Sequence, residues 1–240
     1  MPADLPDSAL LALWLDAWVR GAAATDDLLD ALGEDGSVHT IVTEDGTAEP
    51  LALALGRLRR QTTGAGIALA TPGDPAGIAG PRKFADAVME VGEGVVLLGS
   101  GLGLVPDWAG DEVTWTLHPI TLPRPVPMLP DAARALRVAL VEAAQALAAL
   151  DVARWRPEIA DELVDLRRPR VDLAVPGIAP EIGPVIAQAL LSRGVIELAL
   201  DDEGAAVDVA TMEQRRTVLR SLDQAARHAL VAACSADAQR

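Results

Sequence analysis

A chain of 240 residues, half of them hydrophobic and 23% charged, can bury a sizeable core and has room for one large domain or two small ones. Its formal net charge of −15 repels phosphate backbones, and no basic cluster is interleaved with aromatics, so nucleic acid is excluded as an expected partner. A single cysteine, Cys234, rules out a disulfide framework and any cysteine-rich metal site.

The charge is uneven. Residues 1–120 hold 18 acids against 6 bases, and residues 121–240 hold 17 against 14. Lys83 is the only lysine and Tyr and Asn are absent, a bias that reflects GC-rich codons rather than function. No apolar run reaches the roughly 18 residues of a membrane span. The opening MPADLPDSALLAL lacks a basic leader, so a cytoplasmic protein without membrane partners is expected.

Residues 7–20 read as a helix with Leu10, Leu11, Trp14, Leu15, Trp18 and Val19 on one stripe. The two tryptophans either anchor an oligomer or dock the helix on the core. A short helix capped by Thr25, Asp26 and Asp27 follows, then a β-branched strand over 38–43. Pro50 opens a third helix, which ends in the basic turn Arg57, Arg59 and Arg60.

Residues 64–106 organise the rest of the chain. Apolar runs over 67–70 and 95–98 flank a helix that begins near Pro81 and carries Phe84, Ala87, Val88 and Val91 at helical spacing. That order reads as a parallel crossover unit. The other reading folds 95–98 back through 102–105 as a hairpin, and the two strands then need not be parallel.

If they are parallel, both loops lie on one edge of the sheet, where α/β proteins bind ligands. Asp74 and Gly80 from the first loop, Arg82 and Lys83 at the helix start, and Gly99, Ser100 and Gly101 from the second then form a candidate phosphate or carboxylate pocket. The glycines do not spell G-x-G-x-x-G, and no Gly-Lys-Ser/Thr follows the first loop. Ser100 is flanked directly by glycines and so misses the G-x-S-x-G elbow. His39, His118 and His228 show no metal-ligand spacing, so no metal or cofactor is expected and each histidine reads as structural.

Residues 112–118 alternate cleanly, as a half-buried antiparallel strand near a sheet edge would. Four prolines between 121 and 130 mark an extended strap. The expected division is therefore 1–122, a sheet-bearing part; 123–130, a linker; and 131–240, a helical part, with a single integrated domain as the alternative.

In that helical part, Leu136, Leu140, Ala143, Leu147 and Leu150 form a seam suited to an intramolecular bundle. Further helices are expected over 158–168 and 181–200, the latter competing with a hairpin over 195–209. Thr211 to Gln214 fits a capping box opening a last helix, whose buried stripe is Leu219, Leu222, Ala226, Ala229, Leu230 and Ala233.

Four segments together resemble a group of conserved, uncharacterised proteins from GC-rich actinobacteria: LWLDAWVRG (13–21), PGDPAGIAGP (72–81), LDVARWRPEIADELVDLRRP (150–169) and ARHALVAAC (226–234). The resemblance implies no activity and carries no catalytic residue across. The expected protein is α+β, with α/β the alternative. Its expected function is non-catalytic binding or regulation with self-association into a homo-oligomer. The rivals are an enzyme or sensor for a small anionic metabolite, and a chaperone-like protein partner.

Overall fold

The computed structural model describes residues 5–34, 36–78, 80–121, 124–149, 173–201 and 209–235. The chain is α+β, with a six-stranded mixed sheet and, among the described residues, seven helices. The elements run α1 (Asp7–Val19), α2 (Thr25–Leu32), β1 (Val38–Val42), β2 (Ala48–Pro50), α3 (Leu51–Leu58), β3 (Gly64–Ala68) and α4 (Arg82–Val91). They continue β4 (Gly94–Leu98), β5 (Leu102–Ala109), β6 (Glu112–Pro119), α5 (Leu129–Ala149), α6 (Ile182–Asp201) and α7 (Val209–Ala233).

The sheet order is β2-β1-β6-β5-β4-β3, and only β1 and β6 pair in parallel. The parallel reading of the organising unit is thereby corrected: β3 and β4 are antiparallel, Gly64 opposite Leu98 and Ala68 opposite Gly94. The connection through α4 leaves β3 at Ala68 and re-enters β4 opposite it at Gly94, at the same end of the sheet, so it is a return and not a crossover. Gly99 and Gly101 take positive φ values of 81° and 69°, which a tight reversal needs, and β4 returns directly into β5. β6 is likewise no edge strand, since it lies between β1 and β5. Its Val113, Trp115 and Leu117 are buried, as their alternation requires.

One face of the sheet is covered by α1, with α7 reaching β3 and both α5 and α6 packing along α7. The main core runs through both halves of the chain, from Leu11 and Trp18 to Leu136, Ile186 and Leu230. The other face is covered by α4, whose Phe84 and Val88 pack on Val96, Val105 and Ile120.

Helix α1 is buried on more sides than a single stripe predicts: Leu13 and Asp16 are buried too, and they line a narrow crevice shared with Ile182, Ala233 and Cys234 of the C-terminal half. Trp14 and Trp18 are core residues. Trp18 donates to Thr25 Oγ1 at 3.0 Å and carries the Arg59 guanidinium 4.8 Å from its ring centre. Leu136 and Ala143 of the second seam also face the core, with Leu140 and Leu147 packed against it.

Residues 195–201 are helical in α6, which removes the first strand of the alternative hairpin; residues 205–208 of its second strand lie outside the described residues, as does the helix expected over 158–168. Helix α7 begins at Val209, so Thr211 lies inside the helix rather than capping it. By length and composition Ile182–Leu200 could cross a membrane, but half of that window is buried within the fold, and a core helix passes the same test.

Candidate functional site

Among the described residues strand β3 has no strand beyond it, yet all five of its residues are buried. Its outward-facing backbone groups are therefore satisfied by side chains. Ala65 N–H donates to Asp16 of α1, at 3.4 Å, and Ile67 N–H donates to Ser235 Oγ, just past α7, at 3.3 Å. Arg124, the one charge in the proline strap, donates to Ile67 O, to Gly77 O at 2.7 Å and to Ser235 Oγ at 2.8 Å. Leu69 N–H, one residue beyond the strand, donates to Ala76 O, and Leu69 O accepts from Arg227 Nη1 at 3.1 Å.

This sealing explains Gly66. A Cβ there would lie 2.2 Å from Arg124 Nη2 and 2.5 Å from Ser235 Oγ, so only glycine admits both groups to the strand. Burial pulls the Arg124 guanidinium down to about 10, still far above neutrality, so it stays charged.

Beside this edge lies a chain of charges. The loop after β3 closes a small hairpin in which Thr71 and Asp74 exchange backbone hydrogen bonds at 3.0 and 2.9 Å. The hairpin presents the Asp74 carboxylate to α7. His228 Nε2 bonds Asp74 Oδ1 at 2.8 Å, and Arg227 Nη1 lies 2.7 Å from Oδ2. Arg227 Nε also bonds Asp223 at 2.8 Å, and Arg193 of α6 approaches Asp223 at 3.7 Å. Burial alone raises the Asp74 pKa, but the His228 hydrogen bond and the charges of Arg227 and His228 outweigh it and hold the group below its ordinary value.

The same residues wall a cleft of about 390 Å³, bounded by the 74–77 loop, the 125–127 strap and α7. Its lining is mainly apolar: Pro75, Ala76, Pro125, Val126, Pro127 and Val231, with Asp74 and His228 at one side. That volume lies within the range of small-molecule sites, about 300–1,000 Å³.

The seven residues grouped by sequence do not share this place. Asp74 is part of it. Gly80 and Gly101 lie beside the end of β6, Gly80 O accepting from Thr121 N–H at 2.6 Å and Gly101 O from Ile120 N–H at 2.8 Å. Lys83 also belongs to that region. The His118 pKa is lowered first by burial and then by the Lys83 charge, and its Nδ1 is buried without a hydrogen-bond partner among the described residues. Arg82 is almost fully exposed and approaches Asp86 at 3.4 Å. Gly99 and Ser100 build the β4–β5 turn, where Ser100 Oγ donates to Leu97 O at 2.9 Å and accepts from Leu102 N–H at 3.1 Å.

His39 is held in place by three bonds: its Nδ1 accepts from Trp115 Nε1 at 3.0 Å, and its Nε2 meets Leu32 O and Ser37 Oγ. Cys234 is a buried thiol pushed up to about 12 by desolvation, unsuited to nucleophilic work.

Sequence reasoning missed Arg124, Arg227 and Ser235 and assigned His228 no partner. A signal was present: Arg227 and His228 interrupt the apolar stripe of α7 between Ala226 and Ala229. A charge in such a stripe is retained only when a partner meets it.

No solved structure matches the chain. Two proteins of Mycobacterium tuberculosis do. One, from strain H37Rv, is described as uncharacterized protein Rv1486c, and the other, from strain CDC 1551, as uncharacterized protein MT1533. Each is 27% identical over 95% of this chain and 96% of its own length. A family model described as the N-terminal domain of Rv1486c-like protein matches residues 8–132, and one described as the C-terminal domain matches residues 130–231. The chain belongs to the Rv1486c-like protein family.

Proposed function

We propose that this chain is a binding protein that holds a small molecule in the cleft between the 74–77 loop, the proline strap and α7. The observation that carries the reading is the cleft itself: about 390 Å³, walled by prolines, Val126 and Val231, with one fixed polar pair, Asp74 and His228, at its side. An apolar enclosure with a few placed polar groups is the usual form of a small-molecule site. Among the described residues its lining supplies no hydroxyl, thiol or lysine, which favours binding over covalent catalysis.

The proposal extends to a cytoplasmic setting, in keeping with an unpaired, buried Cys234. It extends also to self-association. The two seams that first suggested it face the core, and the support passes to Val138 and Val141, which are 50% and 57% exposed on the side of α5 away from Leu136.

A thermal-shift screen of small apolar and amphipathic compounds tests the cleft. A ligand at a hundred times its Kd stabilises by about 2.7 kcal/mol. Hits that disappear in Val126→Trp, which fills the cleft from its half-buried rim, are expected. Hits that survive that change place the ligand elsewhere and remove the reading. A mass at micromolar concentration that is strictly monomeric removes self-association.

A further inference from the structure

The hydrogen-bonding groups of the cleft wall are unequally used. Every backbone carbonyl of the 74–77 loop accepts a hydrogen bond. Asp74 O accepts from Thr71 N–H, Pro75 O from Ile78 N–H, Ala76 O from Leu69 N–H and Gly77 O from Arg124. The two carboxylate oxygens of Asp74 face His228 and Arg227.

The donors are not so occupied. Pro75 has no N–H, Asp74 N–H donates to Thr71 O, and among the described residues Ala76 N–H and Gly77 N–H have no partner. Both residues are buried and both line the cleft. Because Ala76 O is directed at Leu69, the N–H of Gly77, on the opposite side of the same trans peptide, points away from β3. Gly77 holds this turn at a φ of 73°. Two cleft-lining amides without a partner in the protein are free to donate to a ligand.

His228 adds a third group. Asp74 engages its Nε2, while Nδ1 has no partner among the described residues and is reachable by solvent. Nδ1 accepts a proton-bearing oxygen when neutral and donates to an anionic one when protonated, so it suits a carboxyl group in either form.

From this inventory we propose that the cleft ligand is a small apolar monocarboxylic acid. Its carboxyl oxygens accept from Ala76 and Gly77 N–H and meet His228 Nδ1, while its hydrocarbon part lies against Pro125, Val126, Pro127 and Val231. This rests on the reading of the cleft as a ligand site. A single negative charge is the match. The charges of Asp74, Arg227, Asp223 and Arg193 cancel among themselves, and a chain of net charge −15 disfavours a polyanion such as a nucleotide.

The test titrates hexanoate, 1-hexanol and hexylamine, equal in chain length, into the full-length protein by NMR and calorimetry. Hexanoate is expected to bind at least about tenfold more tightly than the other two, with the largest amide shifts at Ala76 and Gly77. Val126→Asp places a negative charge at the cleft rim, and is expected to weaken hexanoate at least about fivefold more than it weakens hexanol, which loses only the apolar contact. Hexanol or hexylamine binding as well as hexanoate overturns the acid head group and leaves the cleft reading standing. A Val126→Asp protein that binds hexanoate unchanged while its fold is intact overturns the placement. Absence of binding by all three overturns both this inference and the reading beneath it.

Discussion

Arg124 Nη2 and Ser235 Oγ, 111 residues apart in sequence, meet at 2.8 Å over the free edge of β3. The contact does for β3 what a neighbouring strand would do: it satisfies the outward N–H and C=O of Ile67 and shuts that edge to other chains. It also joins the strap to the end of α7, so the wall of the cleft and the edge of the sheet are one assembly. Replacing Arg124 with Met leaves two buried carbonyls short of a donor. The expected loss is about 2–4 kcal/mol in urea unfolding, against about 1 kcal/mol for Ser235→Ala. Gly66→Ala collides with both groups and is expected to be severe in the wild type and milder in an Arg124→Met background. Strict additivity in that double-mutant cycle would show that Gly66 is not reserved for the arginine.

Asp74 gives stability a direction in pH. Its folded pKa lies below the ordinary 3.8, so the folded state releases the proton more readily than the unfolded chain. The contribution is therefore fully present above about pH 4 and is lost as pH falls through the lower folded value. Asp74→Asn takes one carboxylate from Arg227, which is buried and keeps Asp223 and the Leu69 carbonyl, and is expected to cost about 1.5–3 kcal/mol at pH 7. The gap to wild type should narrow in melts run toward pH 2. A gap that is constant from pH 7 to pH 2 would assign the loss to packing rather than to the ion pair.

Much of the framework is legible from periodicity. The alternation of Val113, Trp115 and Leu117 and the spacing of Leu219, Leu222 and Ala226 each record which side of an element meets the core. Strand pairing is not legible in that way. The runs at β3 and β4 are apolar throughout, as strands buried on both faces are, so no alternation distinguishes parallel from antiparallel neighbours. The site was hidden for the same reason. Asp74 could be chosen as a loop acid, but its partners stand 153 and 154 residues later on a helix, and only the docking of α7 on β3 brings them together.

The tryptophans of α1 offer a direct test of what apolar seams do here. Trp18 is 2% exposed and hydrogen-bonded to Thr25, so Trp18→Ala is expected to lose about 3–5 kcal/mol of stability. Its effect on self-association, measured at a temperature where the variant is folded, is expected to be nil. Val141→Asp, on the exposed side of α5, is expected to do the reverse: little change in unfolding, and a lighter species in light scattering. A Trp18→Ala protein that folds normally but dissociates would return the tryptophans to an interface.

Glu93 sets a second pH dependence, of opposite sign to that of Asp74. Its Oε2 accepts the N–H of Ser8 at 2.9 Å, in the first turn of α1. A helix N-terminus favours an anion there. Burial acts the other way and is the larger effect; the Asp7 charge adds to it, while the Ser8 bond and Arg193 oppose it, and the pKa ends above the ordinary 4.5. The folded state therefore holds this proton more tightly than the unfolded chain. The stabilisation is complete below about pH 4.5 and is lost as pH rises through the folded value, because the fold then contains a buried carboxylate. Glu93→Gln keeps an oxygen for Ser8 N–H and cannot ionise. It is expected to raise Tm at pH 7–8, with the advantage shrinking as both proteins are melted at progressively lower pH toward 4. A Glu93→Gln protein less stable than wild type at pH 7 would show that the anion at the head of α1 outweighs its desolvation after all.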